Sequence, residues 1–211
     1  PIESFYKHNH HKQKLVFLLA SLRNLKKPLS AKFNIIHEKI KPKKTTFIGT
    51  YLKELFLKKD YEEIFVTKPA DYETLSELMF FAQSHGKALH VLEDTKFISE
   101  SDDFKSWSEG KKSLVQEFYY RWLRKKHSIL MEDGKPISGK WNLDKENRAG
   151  ISKLKETPPK REKNLTDTIT FDLMVEVEEV FPRSPGELEN FNWAVTHDDA
   201  WQNLQDFLDR Y

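Results

Sequence analysis

Helical periodicity and short apolar runs alternate along the chain, and this alternation predicts its secondary structure. Residues 10–24 place leucines at helical spacing, which predicts a first helix that ends at Pro28. Three short apolar runs follow and are predicted to be buried strands: residues 33–40, 62–67 and 88–92. Between them we predict a helix over residues 46–59 and another that begins at Asp71 and ends at Gly86.

Helices that alternate with short apolar strands are typical of an α/β fold, here a Rossmann-like parallel sheet with helices on both faces. Such a fold normally opens with a strand and a tight loop at its carboxyl edge. This chain leads from Pro1 directly into a helix. We therefore expect that the first strand is missing and that its place in the sheet is vacant.

The pattern changes after residue 92. We predict an acidic turn at residues 101–103 and a long helix over residues 113–129 that is capped by Ser113. A polar, basic segment that contains proline follows, and two further helices are predicted over residues 166–181 and 196–211. The domain prediction is accordingly an α/β domain, a linker and the start of an all-α domain: residues 1–131, 132–165 and 166–211.

Charge is segregated along the chain, although the formal net charge is only +2. Residues 111–164 carry fifteen basic and seven acidic side chains, whereas residues 165–211 carry two basic and eleven acidic ones. A basic middle beside an acidic end indicates either a surface for nucleic acid or two segments that pair with each other.

Composition limits the function classes further. The chain has no cysteine, which excludes disulfides, a thiol nucleophile and thiolate metal ligands within its 211 residues. No apolar run approaches the length of about 18 residues that a membrane span needs, and no leader pattern precedes the first helix. We expect a cytoplasmic protein without a membrane partner.

Generic catalytic motifs are absent: there is no dinucleotide-binding glycine pattern, P-loop, HExxH or serine-hydrolase elbow. A metal site at His8, His10 and His11 is not expected, because adjacent histidines point to different faces of a helix. The most informative stretch is residues 107–126, where aromatic residues alternate with Lys and Arg. The cations suit a surface that meets phosphates, whereas the helical spacing of residues 118, 122 and 129 favours core positions for their side chains.

Two stretches of this basic region carry a more specific signal. Residues 107–121 read WSEGKKSLVQEFYYR, and residues 130–148 read LMEDGKPISGKWNLDKENR. Both resemble the photolyase-related family of bacterial (6-4) photolyases and the proteobacterial cryptochromes close to them, with Ser138 where the family pattern has a glycine. Segments before and after them also resemble the family, so the resemblance covers nearly the whole chain.

The resemblance implies a light-driven lyase. In this family an N-terminal α/β domain can hold a ribityl-lumazine antenna, and a C-terminal helical domain holds FAD and a [4Fe-4S] cluster. Excited reduced flavin donates an electron to a pyrimidine (6-4) photoproduct in UV-damaged DNA, and the electron returns after repair. The flavin, cluster and lesion-pocket segments would lie beyond Tyr211, so we expect no catalytic residue in this chain and no activity from it alone.

The resemblance also implies site residues. The antenna pocket corresponds to Glu3, Tyr6 and Leu18, whose carboxylate, phenol and aliphatic side chain suit the edge and face of a lumazine ring. For DNA phosphates we expect a basic surface at the seam between the domains, formed by Lys111, Lys112, Lys140 and Arg148. The loop at residues 139–148 is also compatible with a clasp between domains.

Two other functions remain open from the sequence. The first is a cryptochrome-like blue-light receptor that uses the same scaffold and flavin without repair activity. The second is a stand-alone nucleotide-binding α/β module, which the linker and the two C-terminal helices disfavour. We expect the protein to be a monomer.

Overall fold

The computed structural model of the protein describes residues 5, 8–37, 39–40, 48–59, 61–142, 150 and 163–210. The chain divides into two compact units: unit 1 is Pro1–Tyr51 with Thr157–Tyr211, and unit 2 is Leu52–Glu156. The domain boundaries predicted from the sequence stay a prediction.

Seven helices and four short strands are formed by the described residues. In chain order they are α1 (Lys12–Ser30), α2 (Ile48–Lys58), β1 (Glu63–Thr67), α3 (Tyr72–Ser84), β2 (Ala88–Leu92), α4 (Ser101–Ser108), α5 (Gln116–Lys126), β3 (Met131–Glu132), β4 (Lys135–Pro136), α6 (Thr168–Val180) and α7 (His197–Arg210). None of these helices is long and apolar enough to cross a membrane.

The core of unit 1 lies between α1 and α6. Leu15 and Val16 on α1 and Leu173 and Val177 on α6 are fully buried. Leu173 and Val177 share one face of α6, because a spacing of four residues aligns side chains on a helix. Burial of each such side chain contributes about 1.5–3 kcal/mol to folding. Residues of the segment between α6 and α7 complete the cluster: Phe181, Leu188, Phe191 and Val195.

Polar contacts align the same two helices. Lys12 pairs with Glu178 near the start of α1. Further along α1, the Arg23 guanidinium forms a two-bonded pair with the Glu176 carboxylate, in which Nη1 donates to Oε1 at 3.0 Å. A two-bonded pair fixes orientation as well as distance, so it sets the register of α1 against α6.

The first helix is longer than the sequence predicts. It continues to Ser30 with Pro28 inside its last turn, so the prediction that Pro28 ends it is wrong. Proline removes a single backbone donor, and the helix end is closed by other groups, since the N–H groups of Lys32 and Phe33 both donate to the carbonyl of Leu29 at 2.9 Å.

Unit 2 contains the parallel sheet. β1 and β2 pair in parallel, with Glu63 opposite Ala88 and Thr67 opposite Leu92. Helix α3 packs against β2 and buries Leu78. The predicted strands at residues 62–67 and 88–92 are therefore confirmed, as is a mixed α/β fold with a parallel sheet flanked by helices, consistent with a Rossmann-like domain.

The predicted strand at residues 33–40 is wrong. The described part of residues 33–40 forms no strand. Phe33 is 62% exposed and Ile36 48% exposed, and of this stretch the buried apolar side chain is Ile40. An apolar run becomes a strand only where a neighbour satisfies its backbone groups, and the sequence of the run does not contain that information. That a first strand is missing stays a prediction.

The third helix of the prediction is confirmed together with its ends. The Asp71 carboxylate accepts a hydrogen bond of 2.7 Å from the backbone N–H of Thr74, and this bond holds the pKa of Asp71 below its usual value. After the helix, Gly86 adopts a φ of 61°, a left-handed conformation that favours glycine.

Two expectations for the next segment need correction. Residues 101–103 were predicted to form an acidic turn between elements, but they are the first helical turn of α4. The helix begins there because Glu100 and Asp103 cap each other's backbone N–H groups. Helix α5 begins at Gln116 with Val115 at the N-cap, so Ser113 is not its cap. The left-handed Gly110 follows α4 and separates the two helices.

Helix α5 is followed by a tight hairpin of β3 and β4 that the sequence interpretation leaves as loop. Met131 pairs with Pro136 and Glu132 with Lys135. Asp133 and Gly134 connect the strands with φ values of 47° and 73°. Two positive φ values in sequence are typical of a type I′ turn, for which Asp-Gly is a favoured pair.

Candidate nucleic-acid interface

Helix α5 carries its aromatic and basic side chains in two neighbouring rows. Residues 118, 121 and 125 form the first row, and residues 119, 122 and 126 form the second, since spacings of three and four residues align side chains on a helix. Each row thus contains a ring at its N-terminal end and a lysine at its C-terminal end.

The second row packs on α4. The Tyr119 ring lies 4.9 Å from the Trp107 ring and 5.8 Å from the Trp122 ring, between centroids. At the end of the row the Lys126 ammonium pairs with the Asp103 carboxylate, and this hydrogen bond is the main cause of a lowered Asp103 pKa. The second row is therefore structural.

Helix α5 also carries a buried guanidinium that belongs to neither row. The Arg124 side chain is 4% exposed. It donates from Nε to the carbonyl of Ile129 at 3.1 Å, from Nη2 to that of Leu130 at 2.7 Å and from Nη1 to that of Trp141 at 3.1 Å. A buried cation is tolerated where its donors are satisfied, and these three bonds fasten the segment after α5 to the helix.

The segment so fastened brings Trp141 to the first row. Its ring centroid lies 5.6 Å from the Arg121 guanidinium, 5.4 Å from that of Arg124 and 5.4 Å from the Lys125 ammonium. Each distance is within the range of about 6 Å at which a ring attracts a cation. Arg121 also bonds to the Glu117 carboxylate at 3.0 Å. Three positive groups converge on one tryptophan.

Comparison with known proteins identifies the family of the chain. Residues 2–193 match the sequence model of the family described as deoxyribodipyrimidine photo-lyase-related protein. The chain belongs to this family. A (6-4) photolyase of Agrobacterium fabrum is 32% identical over 206 residues, which cover 96% of this chain and 40% of that protein. The chain thus spans about two fifths of the length of this relative.

A viral protein also matches the photolyase-related chain. An uncharacterised protein of Acanthamoeba polyphaga mimivirus is 34% identical over 90 residues, which cover 41% of this chain and 46% of that protein. The expected resemblance to the photolyase-related family is confirmed by the family match and by the Agrobacterium relative.

The structure places three of the four predicted DNA-binding residues of this photolyase-related chain. The Lys111 ammonium lies 5.1 Å from the Trp107 ring centroid, which joins it to the cluster of α4 and α5. Lys112 is exposed, and Lys140 is exposed and directly precedes Trp141. Arg148 lies outside the described residues. That these residues bind DNA stays a prediction.

Sequence reasoning does not distinguish Lys125 from its basic neighbours, and it does not predict the contact of Trp141 with α5. The signal is weak, because Trp141 is 17 residues from Arg124 and only the folded segment joins them. The prediction that the side chains at 118, 122 and 129 are core is wrong for Phe118 and Ile129, which are 56% and 37% exposed.

Of the predicted antenna residues, Leu18 is described and Glu3 and Tyr6 lie outside the described residues. Leu18 is half-buried on α1. The predicted cluster therefore stays a prediction. Within the described part of the chain no group of three or more His, Asp or Glu side chains could hold a metal, including the histidines before α1.

Proposed function

We propose that this chain is the N-terminal part of a light-driven, FAD-dependent photolyase that repairs pyrimidine (6-4) photoproducts, and that unit 2 contacts the phosphates of the damaged DNA. The observation that supports it best is the identity of 32% over 96% of the chain to a protein named (6-4) photolyase. The cations of the α4–α5 region are the second support, because contacts to phosphate need Lys or Arg at an exposed surface.

FAD and the iron–sulfur cluster would be held by other parts of the proposed protein. FAD would supply the electron for repair. A [4Fe-4S] cluster is bound by cysteine thiolates, and the 211 residues contain no cysteine, so they do not supply its ligands. A lumazine antenna would lie in this chain, and Leu18 is the described residue that we propose for its pocket.

The chain's own contribution is to bind and orient DNA. Lys111 is ordered by Trp107, while Lys112 and Lys140 extend into solvent. Such lysines attract the duplex irrespective of its sequence and release counterions as they bind. They hold the duplex and do no chemistry on the lesion.

A repair assay tests the proposed function. A longer protein that contains this chain, loaded with FAD, should remove (6-4) photoproducts from an irradiated oligonucleotide under blue light and not in the dark. A protein whose flavin is photoreduced while the photoproducts persist would contradict repair and favour the blue-light receptor.

A binding assay tests the interface. The double variant Lys111→Gln/Lys112→Gln should weaken binding to damaged and undamaged duplex alike and flatten the dependence of log K on log salt by about 0.9 for each phosphate that is no longer neutralised. Lys96→Gln is the matched control, because Lys96 is exposed in the same unit and already bonds to Asp94 at 3.2 Å. An unchanged slope in the double variant would show that these charges are structural.

A further inference from the structure

Two adjacent lysines at the end of α5 have different surroundings. Lys126 is paired with the Asp103 carboxylate of α4. Lys125 is exposed, and its ammonium contacts the Trp141 ring. Among the described residues no carboxylate pairs with Lys125. Lys126 is therefore part of an ion pair within the fold, whereas the charge of Lys125 is not neutralised by a carboxylate of the described residues.

The other cations at the Trp141 ring do not have this freedom. All three Arg124 donor groups are directed to backbone carbonyls, and the guanidinium is buried. The Arg121 side chain is bonded to Glu117. Three positive charges thus meet at one ring with one carboxylate, Glu117, among the described residues beside them. An anion at this place would relieve their mutual repulsion.

The ring also restricts where the Lys125 ammonium can be. A lysine has four rotatable side-chain bonds and loses their freedom when it binds a ligand. Contact with the Trp141 face favours a subset of the rotamers before any ligand arrives. Trp141 is itself held through its carbonyl by Arg124, so the ring is a fixed support.

Separation along the helix fits a polymer of phosphates. On α5, the Tyr119 ring contacts the Trp107 ring, and the Lys111 ammonium lies over the same Trp107 ring. Tyr119 and Lys125 are six residues apart, which is about 9 Å along a helix. Along one strand of duplex DNA this is about two to three base steps at 3.4 Å each. We therefore expect Lys125 and Lys111 to reach separate phosphates.

We propose that Lys125 binds a phosphodiester of duplex nucleic acid and that Trp141 is the residue that positions it. The proposal rests on the proposed interface of unit 2 and extends it to a second phosphate contact at the opposite end of α5. Lys126 has no such role, although it has the same charge and is the next residue.

The adjacent lysines supply the experiment. Binding of a labelled, undamaged duplex of about 16 base pairs is measured by fluorescence anisotropy from roughly 50 to 200 mM salt. Lys125→Gln should reduce the slope of log K against log salt by about 0.9, as expected when one phosphate is no longer neutralised. Lys126→Gln should leave the slope unchanged and lower the thermal midpoint. Equal slopes for Lys125→Gln and wild type, or equal reductions in both variants, would overturn the proposal.

A second pair of variants tests the positioning role. Trp141→Phe keeps a ring and should retain the wild-type slope. Trp141→Leu should weaken binding. The double variant Trp141→Leu/Lys125→Gln should bind no worse than Lys125→Gln alone, because the two substitutions remove the same interaction. Additive effects would show that Trp141 acts separately from Lys125 and would contradict that role.

Two further comparisons fix the ligand and separate this proposal from repair. RNA duplex of the same length should show the same Lys125 effect if the shared phosphodiester is recognised, and a larger effect on vesicles with anionic lipid than on duplex would overturn the proposal. If a longer protein fails to remove photoproducts while the Lys125→Gln slope still differs, repair is disproved and the phosphate site stands. Photoproduct removal with no difference in slope would support repair and disprove the phosphate site.

Discussion

Arg124 and Trp141 are joined by a hydrogen bond of 3.1 Å from a guanidinium N–H to a backbone carbonyl, across 17 residues of chain. The bond places Trp141 beside α5, and the two bonds from Arg124 to Ile129 and Leu130 hold the start of the hairpin in the same way. One buried side chain thus organises the segment that follows α5.

Removal of this side chain should destabilise unit 2. Arg124→Met leaves three carbonyls without their donors, and we expect a decrease of about 2–4 kcal/mol in the free energy of unfolding. Arg124→Lys keeps the charge but can satisfy fewer of the carbonyls, and should fall between Met and wild type. Urea unfolding measures both. A change below about 0.5 kcal/mol for Arg124→Met would contradict the role of the three bonds.

Acid should weaken the contact between α1 and α6. The pKa of Glu176 is held below its usual 4.5 by its hydrogen bonds to Arg23. Burial raises the pKa of Asp167, but the hydrogen bonds from the Thr170 N–H at 2.6 Å and the Asn24 amide at 3.0 Å outweigh it and hold the value below 3.8.

The sign of the pH effect follows from these depressed values. The unfolded chain binds these protons at higher pH than the folded one, so the stabilisation is complete well above pH 4.5 and is lost as the pH falls through the folded-state values. Denaturant unfolding at a series of pH values from 6 downward measures how the free energy of unfolding depends on pH. Glu176→Gln should give a flatter profile, and Glu179→Gln on the same helix should keep the wild-type slope. If the free energy of unfolding depended on pH with the same slope in all three proteins, Glu176 would not be a source of the acid sensitivity.

Gly186 should not tolerate a side chain. It has a φ of 91°, and a Cβ there would overlap the imidazole ring of His11. We expect Gly186→Ala to cost about 1–3 kcal/mol through strain and overpacking. Gly139→Ala is the matched control, because Gly139 has a φ of 69° with open space around it and so reports the conformational cost alone. Thermal melts compare them, and the double variant with His11→Ala should recover part of the stability. A Gly186→Ala protein as stable as Gly139→Ala would contradict the overlap.

The antenna proposal can be tested at Leu18. Leu18→Trp should fill the place of the chromophore and abolish retention of a lumazine, at a folding cost of roughly 1–3 kcal/mol for overpacking. Leu22→Trp on the same helix is the control, since Leu22 is 59% exposed. Near-ultraviolet absorption and chromophore fluorescence measure retention in a protein that contains this chain. A folded Leu18→Trp protein that keeps the lumazine would show that the pocket lies elsewhere.

Local signals made part of this fold predictable. Glu63–Thr67 and Ala88–Leu92 are short apolar runs between helices, and both are strands within one residue of the predicted bounds. The N-cap at Asp71 could likewise be predicted, because it depends on one hydrogen bond between a carboxylate and the N–H group three residues later. The run at residues 33–40 has a similar composition but no partner strand among the described residues, and partners are a property of the whole fold.

The candidate site was less predictable for a related reason. The sequence shows that residues 107–126 are basic and aromatic, but it does not show which cations are already engaged. Arg124 is buried, Lys126 is paired and Lys125 is neither. These differences arise from α4 and from the segment at Trp141, which meet α5 only after folding. The Asp-Gly hairpin, in contrast, carried a local signal that could have been used.

The division of the chain into units has a consequence for the order of folding. Unit 2 is one continuous stretch, and its strands pair across a short connection, as Glu63 does with Ala88. Unit 1 is built from two stretches, and its Arg23–Glu176 contact closes a loop of 153 residues. Closing a long loop costs more entropy than closing a short one. During synthesis all of unit 2 emerges from the ribosome before α6 does, so unit 2 should gain protection in pulsed hydrogen exchange first, and α1 should remain without its partner until the C-terminal stretch emerges.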